Sequence, residues 1–111
     1  GFTVLGTHMG LARAQAENAV STVLANTGNE QTVLMGDFNL EPDDPILAPI
    51  YASYTDTATL LKDKTLQSWP SDAPRIKIDY IFAKNVKKII SADIPQIVAT
   101  DHCPHLAECK V

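Results

Sequence analysis

The sequence predicts an α/β layered fold, and two observations lead to it. A strand, a helix and a second, apolar strand come first, and a long loop and three further strands follow. The first three elements make a βαβ unit with parallel strands, whereas the later run of strands argues against a doubly wound sheet. The length of 111 residues allows one small domain, with a 45% hydrophobic content that is ordinary for a globular chain.

The βαβ unit is read from a change of period along the chain. Residues 2–8 are rich in β-branched and apolar types, which favours a strand. Over residues 11–25 the apolar positions recur at helical spacing, and they are Ala12, Ala16, Ala19, Val20, Val23 and Leu24. Asn26 and Gly28 then supply a helix stop. The run "TVLMGDF" at 32–38 is nearly all apolar, as in strands buried on both faces.

The second half of the chain is less regular. "LEPDDP" at 40–45 predicts a loop, "ILAPIYASY" at 46–54 a short helical turn despite its proline, and residues 55–75 a long loop. From residue 76 the pattern alternates, which predicts a strand with Ile76, Ile78, Tyr80 and Phe82 on one face. After a turn near 84–85, "VKKIISADI" and "HLAECKV" predict the last two strands.

Charge and hydropathy narrow the class of protein. The net charge of −4 lacks the basic footprint of a non-specific nucleic-acid binder. A basic group between residues 75 and 88 is interpreted as a solvated strand face, with a patch that steers a phosphorylated substrate as the alternative; its members are Arg75, Lys77, Lys84, Lys87 and Lys88. No apolar run approaches the roughly 18 residues of a membrane span, and no signal-peptide pattern is present, so the compartment stays open.

The two cysteines are expected to be free. Cys103 and Cys109 are six residues apart in a segment that reads as extended. That spacing corresponds to about 20 Å along a strand. A disulfide needs Cα atoms within about 7 Å, so we expect two largely buried thiols.

Polar residues stand where four predicted strands begin or end. They are His8, the pair Asp37 and Asn39, Asp79, and the pair Asp101 and His102. Residues i and i+2 of a strand project to the same side, so Asp37 and Asn39 aim at one point if the strand geometry persists to residue 39.

Each of these residues also has a structural explanation. The acidic and amide side chains cap turns, and a lone histidine is often structural. Asp79 has Lys77 and Arg75 nearby in sequence for a surface ion pair. The joint occurrence of all four groups is what favours a site.

The chemistry that such a set performs is hydrolysis of a phosphate ester. One aspartate serves as base to a water, an amide orients that water, and a hard cation with a cationic histidine stabilises phosphoryl charge. Ligation by carboxylate oxygen points to Mg²⁺ or Mn²⁺. The segment "DHCPHLAEC" also raises a zinc site, but it lacks the second, separated ligand pair of structural zinc.

Four segments in order, "VLGTHMG", "VLMGDFNLEPDDP", "RIKIDYIF" and "TDHCPHLAE", resemble the endonuclease/exonuclease/phosphatase superfamily. Its exonuclease III-like and sphingomyelinase-like members include nucleases and phosphodiesterases. The helix with Arg13 and Gln15 after "THMGL", and the stretch "SWPSDAPRIKIDYIF", most resemble bacterial members. The resemblance covers almost the whole chain but only the C-terminal half of the family domain. It therefore implies that residues 1–111 form half of a four-layer α/β sandwich, mostly one mixed sheet with an outer helix.

The same resemblance implies catalytic roles. Asp37 matches the water-activating base, and Asn39 the amide that positions nucleophile and phosphate. His102 matches the histidine that stabilises the phosphoryl transition state, and Asp79 the carboxylate that orients it.

Binding roles follow in the same way. His8 matches a histidine that contacts the phosphate, and Asp101 an acidic residue implicated in Mg²⁺ or Mn²⁺ binding. The family's principal metal-binding glutamate comes from the N-terminal half, which this chain does not contain.

The resulting hypothesis is a metal-dependent phosphoesterase that is inactive as the isolated chain. A strand directly after Gly1 fits a fragment that begins inside a fold. The inner sheet face is expected to be apolar and to seek the missing half or a second copy. The alternative is a non-catalytic phosphate-binding or assembly module, and the substrate stays open among nucleic acid, phospholipid headgroup and small phosphate ester.

Overall fold

The computed structural model describes residues 2–111, and its elements follow the predicted order except that a short strand and a 3-10 turn lie in the predicted loop 55–75. The strands are β1 Phe2–His8, β2 Gln31–Asp37, β3 Thr55–Asp56, β4 Asp79–Lys84, β5 Lys88–Asp93 and β6 Leu106–Lys110, the α-helices are α1 Arg13–Ala25 and α2 Ala48–Ser53, and 3-10 turns span Pro45–Leu47 and Thr57–Leu60. The α/β class is confirmed. Helix α1 begins two residues later than predicted because Ala12 keeps an extended backbone with ψ 128°.

A mixed four-stranded sheet forms the main layer, in the order β1-β2-β4-β3. Strands β1 and β2 are parallel, which confirms the βαβ unit, and β2 and β3 both run antiparallel to β4. The predicted strand from residue 76 is shorter than expected. Residues 76–78 leave the sheet, and Ile76 makes an isolated bridge with Trp69 instead.

The main hydrophobic core lies between one sheet face and the helices. Ala16 and Val20 of α1 pack into it with Leu34 of β2, in agreement with the predicted apolar stripe. Aromatic rings fill its centre, where Phe38 makes edge contacts with Tyr80 and Phe82 at centroid distances of 5.2 and 5.5 Å. Such a core gives the two central strands, β2 and β4, a fixed relative position.

The opposite face of this sheet is partly open. Residues that pair across strands share a face, so Val4 and Val33 project away from the face that carries Leu34. Phe2 and Val4 are 49% and 56% exposed on this side, while Met35 and Ile81 are half-buried. The structure thus contains an apolar, incompletely covered sheet face.

Strands β5 and β6 form a separate two-stranded sheet rather than joining the main one. Asn85 turns the chain with a left-handed φ of 58°, and a register shift lies between Ile89 and Ser91. A second, smaller apolar cluster of Leu61, Ile94 and Cys103 lies beside this ribbon.

Two smaller points follow. No described helix has the length and apolarity that crossing a membrane requires. Cys103 is buried and Cys109 half-buried, and both are free thiols.

Candidate functional site

The ends of β1 and β2 bring His8 beside Asp37. The two strands are parallel and in register, so these terminal residues are direct neighbours. His8 Nε2 lies 3.5 Å from Asp37 Oδ2. Gly36 makes this pairing possible, because its φ is 146° and a Cβ there would lie 1.8 Å from the Thr7 carbonyl oxygen.

Asn39 reaches the same site by a turn and not by strand geometry. Strand β2 ends at Asp37, and Asn39 adopts a left-handed φ of 50°. Its backbone N–H donates to Asp37 Oδ1 at 2.9 Å, and its side-chain amide donates to the Met9 carbonyl. The condition that strand geometry persists to residue 39 is therefore not met, but both side chains still line one cleft.

Asp79 lies directly across from Asp37, because β4 begins where β2 ends. Its Oδ2 accepts a hydrogen bond from Nδ1 of His102 at 2.7 Å. Asp79 thus pairs with a histidine 23 residues away and not with the neighbouring Lys77 or Arg75.

His102 connects the two carboxylates. Its Nε2 lies 3.6 Å from Asp37 Oδ2, which is longer than a good hydrogen bond. Desolvation lowers the pKa of His102, but the hydrogen bond from its ring to Asp79 and the charges of Asp79, Asp37 and Asp101 outweigh it. The pKa of His102 therefore lies above its ordinary value of 6.5.

The His102 segment is held in place by residues 68–71. Cys103 N–H donates to the Ser68 carbonyl at 2.8 Å, and Ser71 N–H donates to the Asp101 carbonyl at 2.8 Å. The Ser68 hydroxyl, fully buried, accepts from the N–H groups of Ile78 at 3.1 Å and Asp79 at 3.3 Å. Ser68 thus anchors both sides of the Asp79–His102 pair, and nothing in the local sequence pattern singles it out.

A cleft of about 790 Å³ collects all six predicted site residues. His8, Asp37, Asn39, Asp79, Asp101 and His102 line it. Asp101 is exposed. The four residues His8, Asp37, Asp79 and His102 are called the cleft cluster below.

A second polar group next to Asp79 is called the buried cluster below, after its buried Asp56 and Lys77. It also contains half-buried His105 and the hydroxyl of Tyr51, a residue that is 38% exposed. Lys77 Nζ donates to Asp56 Oδ2 and to the main-chain carbonyl of Asp79, both at 3.1 Å. Burial lowers the pKa of Lys77 to about 8 although Asp56 and Asp79 oppose this. Lys77 is 7% exposed and therefore does not belong to the solvated basic face that the sequence suggested.

Carboxylate and imidazole atoms of the cleft are the candidate ligands for a metal ion. Within residues 2–111, the one group of three or more candidate ligands is Asp37, Asp79 and His102, and without cysteine it does not have the ligand set of a structural zinc site. Asp79 Oδ2 and the His102 ring already bond to each other. Asp101 offers a free carboxylate on the same cleft, which fits a hard cation held by one or two carboxylates and a phosphate.

Solved structures share this fold. Mannosyl-6-phosphatase of Bacteroides thetaiotaomicron superposes with a TM-score of 0.82 at 14% identity, over 97% of this chain and 51% of that one. A conserved protein of unknown function from Enterococcus faecalis gives 0.80 at 19% identity, over 96% and 48%. The catalytic domain of human Nocturnin, solved with a sulfate anion, gives 0.63 at 19% identity, over 93% and 46%.

The fold and the cleft define an α/β protein with carboxylates and imidazoles where strands β1, β2 and β4 begin or end. Residues 3–102 match the model of the Endonuclease/Exonuclease/phosphatase family, and the chain belongs to that family. The chain spans about half the length of the solved structures that it matches. No curated protein matches its sequence.

Proposed function

We propose that residues 1–111 are the C-terminal half of a phosphoesterase domain that hydrolyses a phosphodiester or phosphomonoester with a water activated by Asp37. The carrying observation is the double placement of His102. Its Nδ1 is fixed by Asp79 at 2.7 Å, while its Nε2 faces Asp37 across the cleft. A raised pKa favours the imidazolium, the form that stabilises phosphoryl charge.

The remaining roles follow from which side-chain atoms of the site already make hydrogen bonds. Asp37 Oδ1 is held by the Asn39 N–H, which leaves Oδ2 facing the cleft as the base. Asn39 positions the nucleophile and the phosphate. His8, whose side chain is 77% exposed, contacts the phosphate from the rim.

A divalent cation, Mg²⁺ or Mn²⁺, would be held by Asp101 of this chain together with a glutamate of the other half. When bound, such an ion supplies positive charge to the phosphoryl oxygens. One carboxylate alone holds Mg²⁺ weakly, because its coordination shell is otherwise water. The isolated chain is accordingly inactive or nearly so.

The open sheet face explains how the chain is completed. Phe2 and Val4 are about half exposed on it, next to half-buried Met35 and Ile81. Burial of such a surface is favourable by roughly 25 cal/mol per Å². This face packs against the missing half or, when the chain is alone, against a second copy.

Phosphate binding tests the site directly. Inorganic phosphate added to the ¹⁵N-labelled chain should shift the amide signals of Asp37, Asp79 and His102. His102→Ala should weaken this binding, whereas Lys62→Ala, which removes an exposed cation outside the cleft, should not. Equal weakening by both variants, or shifts confined to other residues, would refute the assignment of the cleft.

A hydrolysis assay tests whether the site of the isolated chain is incomplete. With Mg²⁺ and bis-p-nitrophenyl phosphate, the chain alone should show no hydrolysis above buffer, and sedimentation should show self-association. A monomeric chain whose hydrolysis is abolished by Asp37→Asn would show instead that the site is complete.

A non-catalytic phosphate-binding or assembly module is the second candidate, favoured by the single free carboxylate at Asp101. A longer polypeptide carrying both halves separates the two. If Mn²⁺ broadens the amide signal of Asp101 in this polypeptide and the polypeptide hydrolyses the ester, the enzyme is supported. If the polypeptide binds phosphate but shows neither the broadening nor hydrolysis, the binding module is supported.

A further inference from the structure

One wall of the cleft has no part in the proposed chemistry. It consists of Trp69, Ile76 and Ile78, and Leu11 also lines the cleft. All four are apolar, in contrast to the charged floor formed by the cleft cluster. Trp69 and Ile76 are half-buried and Leu11 is 86% exposed, so this part of the surface is available to a ligand, whereas Ile78 is buried.

The main chain at Trp69 is held in a hairpin with residues 75 and 76. The Trp69 main-chain N–H donates to the Ile76 carbonyl at 3.1 Å, and the Trp69 carbonyl accepts from the main-chain N–H groups of Arg75 at 2.9 Å and Ile76 at 3.1 Å. The Arg75 guanidinium lies 6.0 Å from the ring centroid. Because the backbone is already ordered, a ligand that docks on the ring has only side-chain freedom to restrict at this position.

A phosphate group makes no use of such a wall. Phosphoryl oxygens are stabilised by charge and by hydrogen-bond donors, which the floor of the cleft provides. Trp69, Ile76 and Ile78 border that floor, within reach of whatever group is esterified to the phosphate. The wall therefore matches the alcohol portion of the ester.

We infer that Trp69 is a specificity-determining residue that stacks on a planar ring in the alcohol portion of the substrate. This inference rests on the proposed function, because it takes the phosphate to lie against the cleft cluster. A planar ring is favoured over an aliphatic group because an indole face stacks on flat π-systems, an arrangement that tolerates many ring types. The substrate class is thus a phosphate ester of a ring-bearing alcohol.

The lone tryptophan of the chain makes the test specific. Its fluorescence reports on position 69 alone, because the sequence holds no other tryptophan. The probes are inorganic phosphate, methyl phosphate, cyclohexyl phosphate and phenyl phosphate. Phenyl phosphate should bind about tenfold more tightly than methyl phosphate and should change the fluorescence, with cyclohexyl phosphate between them.

Two variants separate stacking from general hydrophobicity. Trp69→Phe keeps a planar ring and should retain most of the preference for phenyl phosphate, whereas Trp69→Leu keeps an apolar side chain and should lose it. Leu60→Ala removes a 41% exposed apolar group outside the cleft and should leave all affinities unchanged. Affinities of the variants are followed by the amide signals of Asp79 and His102.

The outcomes distinguish this inference from the proposed function. If inorganic phosphate binds but phenyl and methyl phosphate bind equally, the wall is not a ring-binding site and the proposed function stands. If cyclohexyl phosphate equals phenyl phosphate and Trp69→Leu changes neither, stacking is refuted. If no phosphate compound shifts the cleft signals, both proposals fail together.

Discussion

The cleft cluster and the buried cluster both contain aspartate and histidine side chains, but their carboxylates differ in how completely they are hydrogen-bonded. In the buried cluster, Asp56 accepts hydrogen bonds from Lys77 at 3.1 Å, from Tyr51 at 3.1 Å and from the Ala58 N–H at 2.9 Å. In the cleft cluster, Asp37 Oδ2 faces two imidazoles at 3.5 and 3.6 Å without a short hydrogen bond to either.

The difference separates structural from binding roles. Charges that are taken out of water have to be paired, and Asp56 and Lys77 pair with each other. The cleft groups keep partial access to water and unused bonding capacity, which a ligand can occupy. Asp79 joins the two clusters, because its carbonyl accepts from Lys77 and its carboxylate accepts from His102.

The largest expected effect comes from breaking the buried ion pair. Lys77→Met should lower the free energy of unfolding by about 3–5 kcal/mol, because it leaves the Asp56 carboxylate buried without its counter-charge. Adding Asp56→Asn should recover part of the loss. Urea unfolding measures this, with Lys62→Met at an exposed position as the control. A loss below about 1 kcal/mol would mean that water reaches Asp56.

Removing the Ser68 hydroxyl, which binds the segment that carries Asp79, should have the next largest effect on stability. Ser68→Ala deletes the acceptor for the N–H groups of Ile78 and Asp79, which costs about 1–3 kcal/mol for buried donors left unpaired. Phosphate affinity should fall with it, unlike in the exposed control Ser91→Ala. Unchanged affinity in a destabilised Ser68→Ala would show that Ser68 supports the fold but not the site.

His105 provides the pH dependence. Both of its ring nitrogens are buried without a partner, and burial together with the charge of Lys77 lowers its pKa to about 4. Between the unfolded value of about 6.5 and the folded value the unfolded chain binds the extra proton, so stability is lost as the pH falls through that window. This loss is about 2 kcal/mol between pH 7 and pH 4.5, and His105→Val should remove most of it, measured by urea unfolding at the two pH values. Parallel pH curves would contradict it.

The smallest effect on stability is expected at His8. Its side chain is 77% exposed, so His8→Ala should change the free energy of unfolding by no more than about 0.5 kcal/mol. Phosphate binding should nevertheless weaken, since the imidazole faces the cleft. A variant that loses stability but keeps phosphate affinity would assign His8 to the fold instead.

The spacing of apolar residues predicted the strands and the helix that bury one face. The bounds of β1 match residues 2–8, and the apolar stripe of α1 packs as expected, because both depend on short-range periodicity. The separation of β5 and β6 from the main sheet was not predicted. It depends on the turn at Asn85 and on tertiary pairing, which a period of two does not encode.

The candidate site was predicted in part, and for a different reason. Six residues were predicted from their place at strand ends, and motif resemblance supplied their roles. The structure places all six on one cleft, while their roles remain proposals. Ser68 and Lys77 could not be found in this way. A serine in a loop and a lysine before a strand are ordinary in sequence, and only the packing of distant segments buries them.

The presence of two hydrophobic clusters has a consequence for motion. Asp37 ends strand β2, which is anchored in the main core, and Asn39 follows it. His102 instead precedes Cys103, which belongs to the small cluster with Leu61 and Ile94. Regions with few buried apolar contacts open before the rest of a protein. We therefore expect the amides around residues 94–103 to exchange hydrogen with solvent faster than those of β2.

A ligand that touches both Asp37 and His102 spans these two regions. Its binding energy would oppose the opening of the small cluster, so amide exchange at Ile94 and Cys103 would slow in its presence. A bound ligand would then hold together two parts of the chain that otherwise open with different free energies.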